Sequence, residues 1–163
     1  MKKLHESPSK ILVMLASTLI AVPLFASTCD DGKIVLTSQS ALDNFSEIYG
    51  NCSEIEGDLE ISGDDITDLQ QLDSIEIIKG NLIIWNNPIL ETLAGLSNIT
   101  SIYGLAIWQN ESLININALK KIGGEVPLNV DISFNDSLSN VTGFTGLNTV
   151  AGSIYFESNS KLE

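Results

Sequence analysis

The sequence predicts an all-β-dominated solenoid, in which short parallel strands stack as a coil behind an N-terminal helical cap. Three observations predict this fold class: five segments of the chain align with one another, apolar residues alternate within each segment, and a polar residue ends each segment. Self-similarity at a period of about 20 to 50 residues is typical of stacked repeats. Alternation is typical of strands with one buried face. These features indicate one repetitive domain, which a chain of 163 residues is long enough to form.

Residues 1–26 have the composition of an export signal. A lysine-containing start is followed by an apolar run over residues 11–26, and Ala26 offers a small side chain at the cleavage position. The run is shorter than the roughly 20 residues that a membrane-spanning helix needs. We therefore expect the mature chain to be secreted, periplasmic or at the cell surface, with no stable membrane insertion. A retained anchor is the alternative.

Residues 27–56 are predicted to cap the first rung of the coil. After a short strand, Thr37 or Ser38 is suited to be a helix N-cap, because a hydroxyl can accept from the backbone of the first turn. Apolar residues then recur at helical spacing, at Ala41, Leu42, Phe45 and Ile48. A stack of rungs needs its exposed end covered, and this amphipathic helix is the element that we expect there.

The chain has two cysteines, Cys29 and Cys52, which flank the predicted helix. Disulfides persist in oxidising compartments, so a cysteine pair in an exported chain favours a bond between Cys29 and Cys52. The alternative is a lipoprotein that is acylated at Cys29. Thr28 argues against it, because glycine or alanine is expected immediately before a lipidated cysteine.

Residues 57–163 are predicted to form repeats of about 24 residues, with steps of 23, 23, 25 and 24. Each repeat opens with a strand whose first and third residues point inward. The first inward column is Leu59, Leu82, Leu105, Val130 and Ile154, and the second is Ile61, Ile84, Ile107, Ile132 and Phe156. Apolar residues then recur every third position, as in residues 90–99, among Gly, Asn, Ser and Thr. We therefore expect short strands and turns on the return path rather than full helices. The sequence stops just after the strand of the fifth repeat, so we expect either a truncated array or an early part of a longer one.

A polar column marks the turn after each strand, at Asp64, Asn87, Asn110, Asn135 and Asn159. An amide side chain can donate and accept, so this column is predicted to satisfy buried backbone groups from rung to rung. Glycines recur near the preceding corner, at Gly57, Gly80, Gly104 and Gly152. A positive φ or a close approach of rungs would favour glycine there. Residues 123–130 hold two further glycines and a proline, which predicts a bulged or looped-out corner.

Composition argues against several function classes. The formal net charge is −13, and it becomes −15 when three lysines and one glutamate leave with residues 1–26. The chain has no arginine, so the attraction on which nucleic-acid binding depends is missing. His5, the sole histidine, lies in the export signal, which excludes histidine-based triads and the usual zinc sites from the mature chain. The paired carboxylates at 30–31 and 64–65 fit solvated turns better than a catalytic or calcium site. We expect no enzyme, no cofactor and no metal.

The alternation that buries the core columns turns other side chains to the opposite face of the strands. Trp85 and Trp108 occupy the same outward position in consecutive repeats, so we expect them to lie one above the other. The candidate ligand-binding residues on this face are Glu60, Ile83, Trp85, Ala106, Trp108, Asp131, Tyr155 and Glu157. An aromatic patch with a polar rim is typical of binding surfaces. The alternative is that the tryptophans only stiffen the sheet or are covered by another segment or domain.

Two cysteine-led segments and the repeat pattern carry a family resemblance. They are CDDGKIVLTSQ from Cys29, CSEIEGDLEI from Cys52, and the recurring I-x-x-I-x-G-x-L-x-I-x-x-N-x-x-L. Together they resemble the receptor L domain, the leucine-rich-repeat-related module of growth-factor and insulin receptors and of fungal GPI-anchored cell-wall proteins. The resemblance covers residues 29–163 and implies a right-handed coil, a disulfide-closed cap, and binding or cell-surface organisation. Cysteine-rich modules, a second L domain and a kinase are not found in this sequence, so hormone-receptor activity is not implied.

Two functions fit these features. The first is a non-catalytic binding or adhesion module that recognises a protein or glycan at the cell surface through the parallel sheet face. The second is a structural spacer of a cell-envelope or cell-wall protein, in which the repeats provide length and the tryptophans meet a neighbouring domain. The acidic rim around the tryptophans favours a neutral or basic partner over an anionic polymer.

Overall fold

The computed structural model describes residues 28, 29 and 32–162, so the predicted export signal lies outside the described residues. The strands are β1 (Thr28–Cys29), β2 (Lys33–Leu36), β3 (Glu54–Ile55), β4 (Asp58–Ile61), β5 (Ile77–Ile78), β6 (Asn81–Trp85), β7 (Gly104–Trp108), β8 (Gly124–Val126), β9 (Val130–Ser133), β10 (Leu147–Val150) and β11 (Ile154–Glu157). The helices are α1 (Gln39–Asp43) and α2 (Phe45–Tyr49). Short 3₁₀ helices span Gln70–Leu72, Ala94–Leu96, Asn117–Lys121 and Thr142–Phe144.

Six strands form one parallel sheet in the order β11, β9, β7, β6, β4, β2. Successive repeats lie side by side in direct register, so that Leu59 pairs with Leu82, which pairs with Leu105. The inward columns of the first four repeats are at most 3% exposed. The predicted solenoid of short parallel strands is confirmed. Its register follows from the alternation, because a slip by one residue would turn every core side chain to solvent.

The return path of the coil combines very short strands with 3₁₀ helices. β1, β3 and β5 form a second parallel sheet, and β8 pairs with β10. We predicted strands and turns on this path, and the structure adds the 3₁₀ helices to them. A 3₁₀ helix has about three residues per turn, which matches the spacing of the apolar residues. Leu90, Leu93, Leu96 and Ile99 are accordingly all buried, at 1% exposure or less.

The corner at residues 123–130, predicted to be bulged or looped-out, combines a short paired strand with an exposed turn. Gly124–Val126 forms β8, with Gly124 at a φ of +77°. The irregularity in register lies in the partner strand β10, between Leu147 and Thr149. Beyond β8, Leu128 is 42% exposed. The extra residues of this repeat therefore build a paired strand followed by an exposed corner.

The inward-facing residues of the fifth repeat are not buried. Ile154 and Phe156 keep direct register with Val130 and Ile132, as predicted. Their side chains are nevertheless 54% and 42% exposed. Burial of an inward residue in a solenoid needs a rung on both sides, and β11 is the edge strand of the main sheet among the described residues.

Asparagine side chains form a hydrogen-bond ladder through the stack. Asn87, Asn110 and Asn135 have no solvent exposure. The Asn110 amide donates from Nδ2 to the Ile84 carbonyl at 3.0 Å, while its Oδ1 accepts from the Asn87 backbone N–H at 3.2 Å. The Asn135 N–H donates in the same way to Asn159 Oδ1 at 3.1 Å. Each amide thus serves backbone groups of the neighbouring rung that would otherwise be buried without partners.

Asp64 is not part of the ladder, which corrects its assignment to the turn column. Its side chain is exposed, and the Gly63 N–H donates instead to Asn87 Oδ1 at 2.9 Å. In the later repeats, a residue with a positive φ precedes each ladder asparagine, at Asn86, Gln109, Phe134 and Ser158. The turn after β4 has no such residue, so the ladder position falls one residue earlier, on Gly63.

The cap contains the predicted helical segment, but it is broken in two. Ser38, rather than Thr37, is the N-cap, and its hydroxyl accepts from the Ala41 N–H at 3.1 Å. Leu42 and Phe45 are buried as expected, whereas Ile48 is 64% exposed. The break at Asn44 between α1 and α2 changes the helical phase. Tyr49 therefore takes the inner position, with its ring centroid 5.0 Å from that of Phe45.

A disulfide joins Cys29 of β1 to Cys52, which lies two residues before β3. Both cysteines are at most 4% exposed, and their Cα atoms are 5.7 Å apart. Because β1 and β3 are neighbours in the second sheet, the bond joins the two ends of the cap.

Replacement of Cys52 by serine should lower the free energy of unfolding by about 3 kcal/mol, since the bond closes a loop of about 24 residues in the unfolded chain. Urea unfolding of the two proteins measures the loss. Cys29→Ser should lower stability equally, and the double variant should be no worse than either single one. Two titratable thiols in the native protein would contradict the prediction.

Close packing of rungs, rather than positive φ, explains the corner glycines. A Cβ on Gly57 would lie 1.0 Å from the Gly32 carbonyl oxygen, and one on Gly80 would lie 2.4 Å from Gly57. At Gly104 and Gly152 the obstacle is an asparagine Oδ1 of the neighbouring rung, at 2.4 and 2.3 Å. At Gly57 and Gly80 the obstacle is backbone, so no side chain fits there unless the rungs move apart.

Candidate ligand-binding face

The outer face is the surface of the six-stranded sheet that carries Trp85 and Trp108. Alternation turns these side chains away from the core, and the parallel register pairs the two residues directly. Their rings stack with centroids 5.0 Å apart and planes 14° from parallel. Both side chains are half-buried. The predicted vertical alignment of the tryptophans is therefore present, and the two rings stack on each other across neighbouring strands.

Glu60 holds the first tryptophan in place from the neighbouring strand. The Trp85 Nε1–H donates to Glu60 Oε1 at 2.8 Å, while the Lys33 ammonium lies 2.6 Å from Glu60 Oε2. The hydrogen bond from Lys33, and then the one from Trp85, keep the pKa of the Glu60 carboxyl below its usual range. The bond to Glu60 in turn raises the pKa of Lys33. Glu60 is thus a support for Trp85 rather than a free carboxylate of the rim.

Protonation of the Glu60 carboxylate at low pH should break its contacts with Trp85 and Lys33. A folded-state pKa below the unfolded value means that the Glu60 contacts stabilise the fold above the unfolded pKa and are lost as the pH falls through the folded one. The chain has two tryptophans, so its tryptophan emission, excited selectively at long wavelength, reports on this pair alone. We expect an emission change below about pH 4 that Glu60→Gln removes. Glu125→Gln, which alters an exposed carboxylate elsewhere, should keep it. Identical acid titrations of wild type and Glu60→Gln would contradict the assignment.

A cleft of about 240 Å³ opens beside Trp108, toward the last strand. We call it the aromatic cleft, and its lining is Trp108, Asp131, Ser133, Phe134, Tyr155 and Glu157. The sequence pattern identified four of these as candidates, and it missed the contribution of Ser133 and Phe134. The signal for Phe134 was its position before the ladder asparagine, where the other later repeats carry Asn86, Gln109 and Ser158. Phe134 is the one aromatic residue among these four positions, which distinguishes it as a candidate site residue.

Phe134 reaches the cleft because of its backbone conformation. Its φ is +58°, in the left-handed region that bulky residues rarely adopt. The chain turns sharply there, and the ring stands 52% exposed at the end of β9. Tyr155, on β11, is 43% exposed across the same cleft. Two solvent-exposed rings therefore flank the half-buried Trp108.

A second cleft, of about 260 Å³, lies on the other side of Asp131. Its lining is Asn81, Ile83, Leu105, Ala106, Leu128, Asn129 and Asp131. Asp131 borders both clefts, so the outer face presents a continuous surface from Ile83 to Tyr155. Seven of the eight predicted residues border a cleft or belong to the tryptophan stack, and the eighth, Glu60, supports the stack from beneath Trp85.

The described residues contain no group of three or more histidine, cysteine or acidic side chains placed to hold a metal ion. Within the same part of the chain, no helix is long and apolar enough to cross a membrane.

Comparison with known proteins identifies the domain. The family model of the receptor L domain matches residues 51–163, which is more than half of the chain. The curated proteins and the solved structures yield no match. Receptor L domains are non-catalytic modules that bind ligands in receptor ectodomains. With its stacked parallel strands and its family match, this chain belongs to the receptor L domain family.

Proposed function

We propose that this protein is an exported, non-catalytic binding or adhesion module that recognises a protein or glycan through its outer face. The observation that carries the proposal is the stacked Trp85–Trp108 pair, which lies on an open sheet surface with Trp108 lining the aromatic cleft. Tryptophan is enriched at the energetically dominant positions of interfaces, because its large rigid ring buries much area at little entropic cost.

The surroundings of the pair support recognition over simple stiffening. Phe134 and Tyr155 are exposed aromatic side chains beside Trp108, although neither ring stacks on the pair. Exposed aromatic patches with polar rims mark binding surfaces, because a soluble protein otherwise keeps such area small. Asp131 and Glu157 supply the rim.

Export to the cell surface, the periplasm or the medium is the second part of the proposal. The basic and apolar composition of residues 1–26 supports it. The buried Cys29–Cys52 disulfide supports it too, because such bonds persist in oxidising compartments. The family match is consistent with an extracellular module.

The alternative function is a structural spacer of a cell-envelope or cell-wall protein. One observation favours it: Trp85 already donates its N–H to Glu60 and stacks on Trp108. A tryptophan that only reinforces the sheet would make these same contacts. The two functions differ in whether an external partner depends on the exposed side of the rings.

The test is binding of the wild type to a glycan array and to extracts of surface proteins, beside the double variant Trp85→Ala, Trp108→Ala. We expect the double variant to lose about 30-fold or more in affinity for any partner of the wild type, which corresponds to roughly 2 kcal/mol. Tyr103→Ala is the matched control, since it removes an exposed aromatic ring outside the outer face. Equal binding by the folded double variant would favour the spacer.

A further inference from the structure

We propose that the aromatic cleft is a receptor for a basic side chain, the guanidinium or ammonium group of an arginine or lysine on a partner protein. The proposal rests on the proposed binding function and names the chemistry of its ligand. It follows from a combination that the lining residues provide: three aromatic rings and two carboxylates around one cavity of about 240 Å³.

The carboxylates of the cleft lack a cationic partner. Among the described residues, the ion pairs join Lys33 to Glu60 and Lys79 to two other glutamates. Neither Asp131 nor Glu157 is included in them. Asp131 is half-buried and is oriented by the Ser133 hydroxyl, which donates to its Oδ1. A half-buried carboxylate that is oriented but not neutralised is a favourable site for an incoming cation.

The aromatic rings suit the same ligand. Trp108, Phe134 and Tyr155 all border the cavity, and the faces of such rings attract cations within about 6 Å of their centres. Guanidinium groups also stack on aromatic planes while donating to carboxylates, so one arginine head could use both kinds of group at once.

The two carboxylates of the cleft suit a ligand that only donates hydrogen bonds. Asp131 and Glu157 accept only, and the Ser133 hydroxyl already donates to Asp131. The Tyr155 hydroxyl and the Trp108 N–H are the other polar side-chain groups in the lining. Sugar hydroxyls both donate and accept, whereas guanidinium and ammonium groups donate only. The electrostatic field of the whole chain also attracts cationic ligands, because the formal net charge of the chain is −13.

The probes are two short capped peptides, acetyl-Gly-Arg-Gly-amide and the same peptide with citrulline, which keeps the shape but has no charge. Each is titrated into the protein at about 150 mM salt, where long-range attraction is screened. The readout is the NMR shift of the Trp108 indole N–H. We expect the arginine peptide to bind about tenfold or more tightly than the citrulline peptide.

The matched variants alter charge without altering size. Asp131→Asn with Glu157→Gln should weaken the arginine peptide about tenfold, whereas Glu47→Gln with Glu125→Gln, at exposed sites outside the cleft, should change its affinity by less than about twofold. Phe134→Asn should weaken it as well, and it suits the left-handed backbone, so its fold should be retained.

Three results would overturn the inference. They are equal binding of the arginine and citrulline peptides, unchanged binding by the Asp131→Asn, Glu157→Gln variant, and a larger Trp108 shift with neutral oligosaccharides than with the arginine peptide. The two proposals can be distinguished. If a surface partner no longer binds the Trp85→Ala, Trp108→Ala variant but still binds the Asp131→Asn, Glu157→Gln variant, the outer face is the binding face and its ligand is not a basic side chain.

Discussion

Replacement of Ile84 by aspartate should prevent folding, whereas the same change at the adjacent Ile83 should cost no more than about 1 kcal/mol. Ile84 has no solvent exposure and lies on the inward side of β6 between Ile61 and Ile107 of the neighbouring strands. An aspartate there would be a buried charge among apolar side chains, with no partner. Ile83 is half-buried on the outer face, where a carboxylate remains hydrated.

Far-ultraviolet circular dichroism and urea unfolding of both variants test this pair. The wild type and Ile83→Asp should show similar cooperative transitions, with a slightly lower midpoint for the variant because Glu60 lies opposite Ile83. Ile84→Asp should show no cooperative transition. If the two variants were damaged equally, the assignment of inward and outward sides to the strands would be wrong.

Replacement of Asn110 by alanine should lower the free energy of unfolding by about 4 kcal/mol, because at least two buried backbone groups lose their partners. The Ile84 carbonyl loses a donor, and the Asn87 N–H loses an acceptor. The contacts between Asn110 and the neighbouring ladder amides are lost as well. A water molecule could not easily replace the side chain, since Asn110 is fully buried.

The matched control is Asn148→Ala, which removes an exposed amide on β10 and should change stability by less than about 0.5 kcal/mol. Asn110→Asp keeps an acceptor for Asn87 but removes the donors and buries a charge, so it should be at least as damaging as alanine. Urea unfolding gives the three values. A loss below about 1 kcal/mol for Asn110→Ala would mean that the ladder contributes little to the stack.

Much of the candidate site could be predicted, since it depends on strand parity. Once Leu82 and Ile84 face the core, Ile83 and Trp85 must face outward, and a parallel register then brings Trp108 beside Trp85. The same argument located Asp131 and Tyr155 on neighbouring strands. It could not locate Phe134, because that residue lies beyond the strand, where side-chain direction depends on a positive φ rather than on alternation.

The strand register, the buried columns of the first four repeats and the stacked tryptophans could all be predicted from the amino-acid pattern. These three features follow from a local period that recurs along the chain, and stacking the repeats turns that period into direct contacts between neighbouring rungs. A short motif therefore carries the information for contacts between residues that are distant in sequence. The cysteine pair could be predicted for a different reason, from the cysteine count and the export signal.

Four features of the structure could not be predicted from the amino-acid pattern. Glu60 supports Trp85 rather than lining a cleft, Gly63 takes the ladder place predicted for Asp64, and Ile48 turns to solvent. Ile154 and Phe156 remain exposed at an edge strand despite their inward register. For Glu60, Ile154 and Phe156 the reason is that burial and hydrogen bonding are set by what the neighbouring strand presents, which the apolar pattern of a single repeat does not contain. For Gly63 and Ile48 the reason is local backbone geometry, namely a turn without a positive φ and a helix break at Asn44.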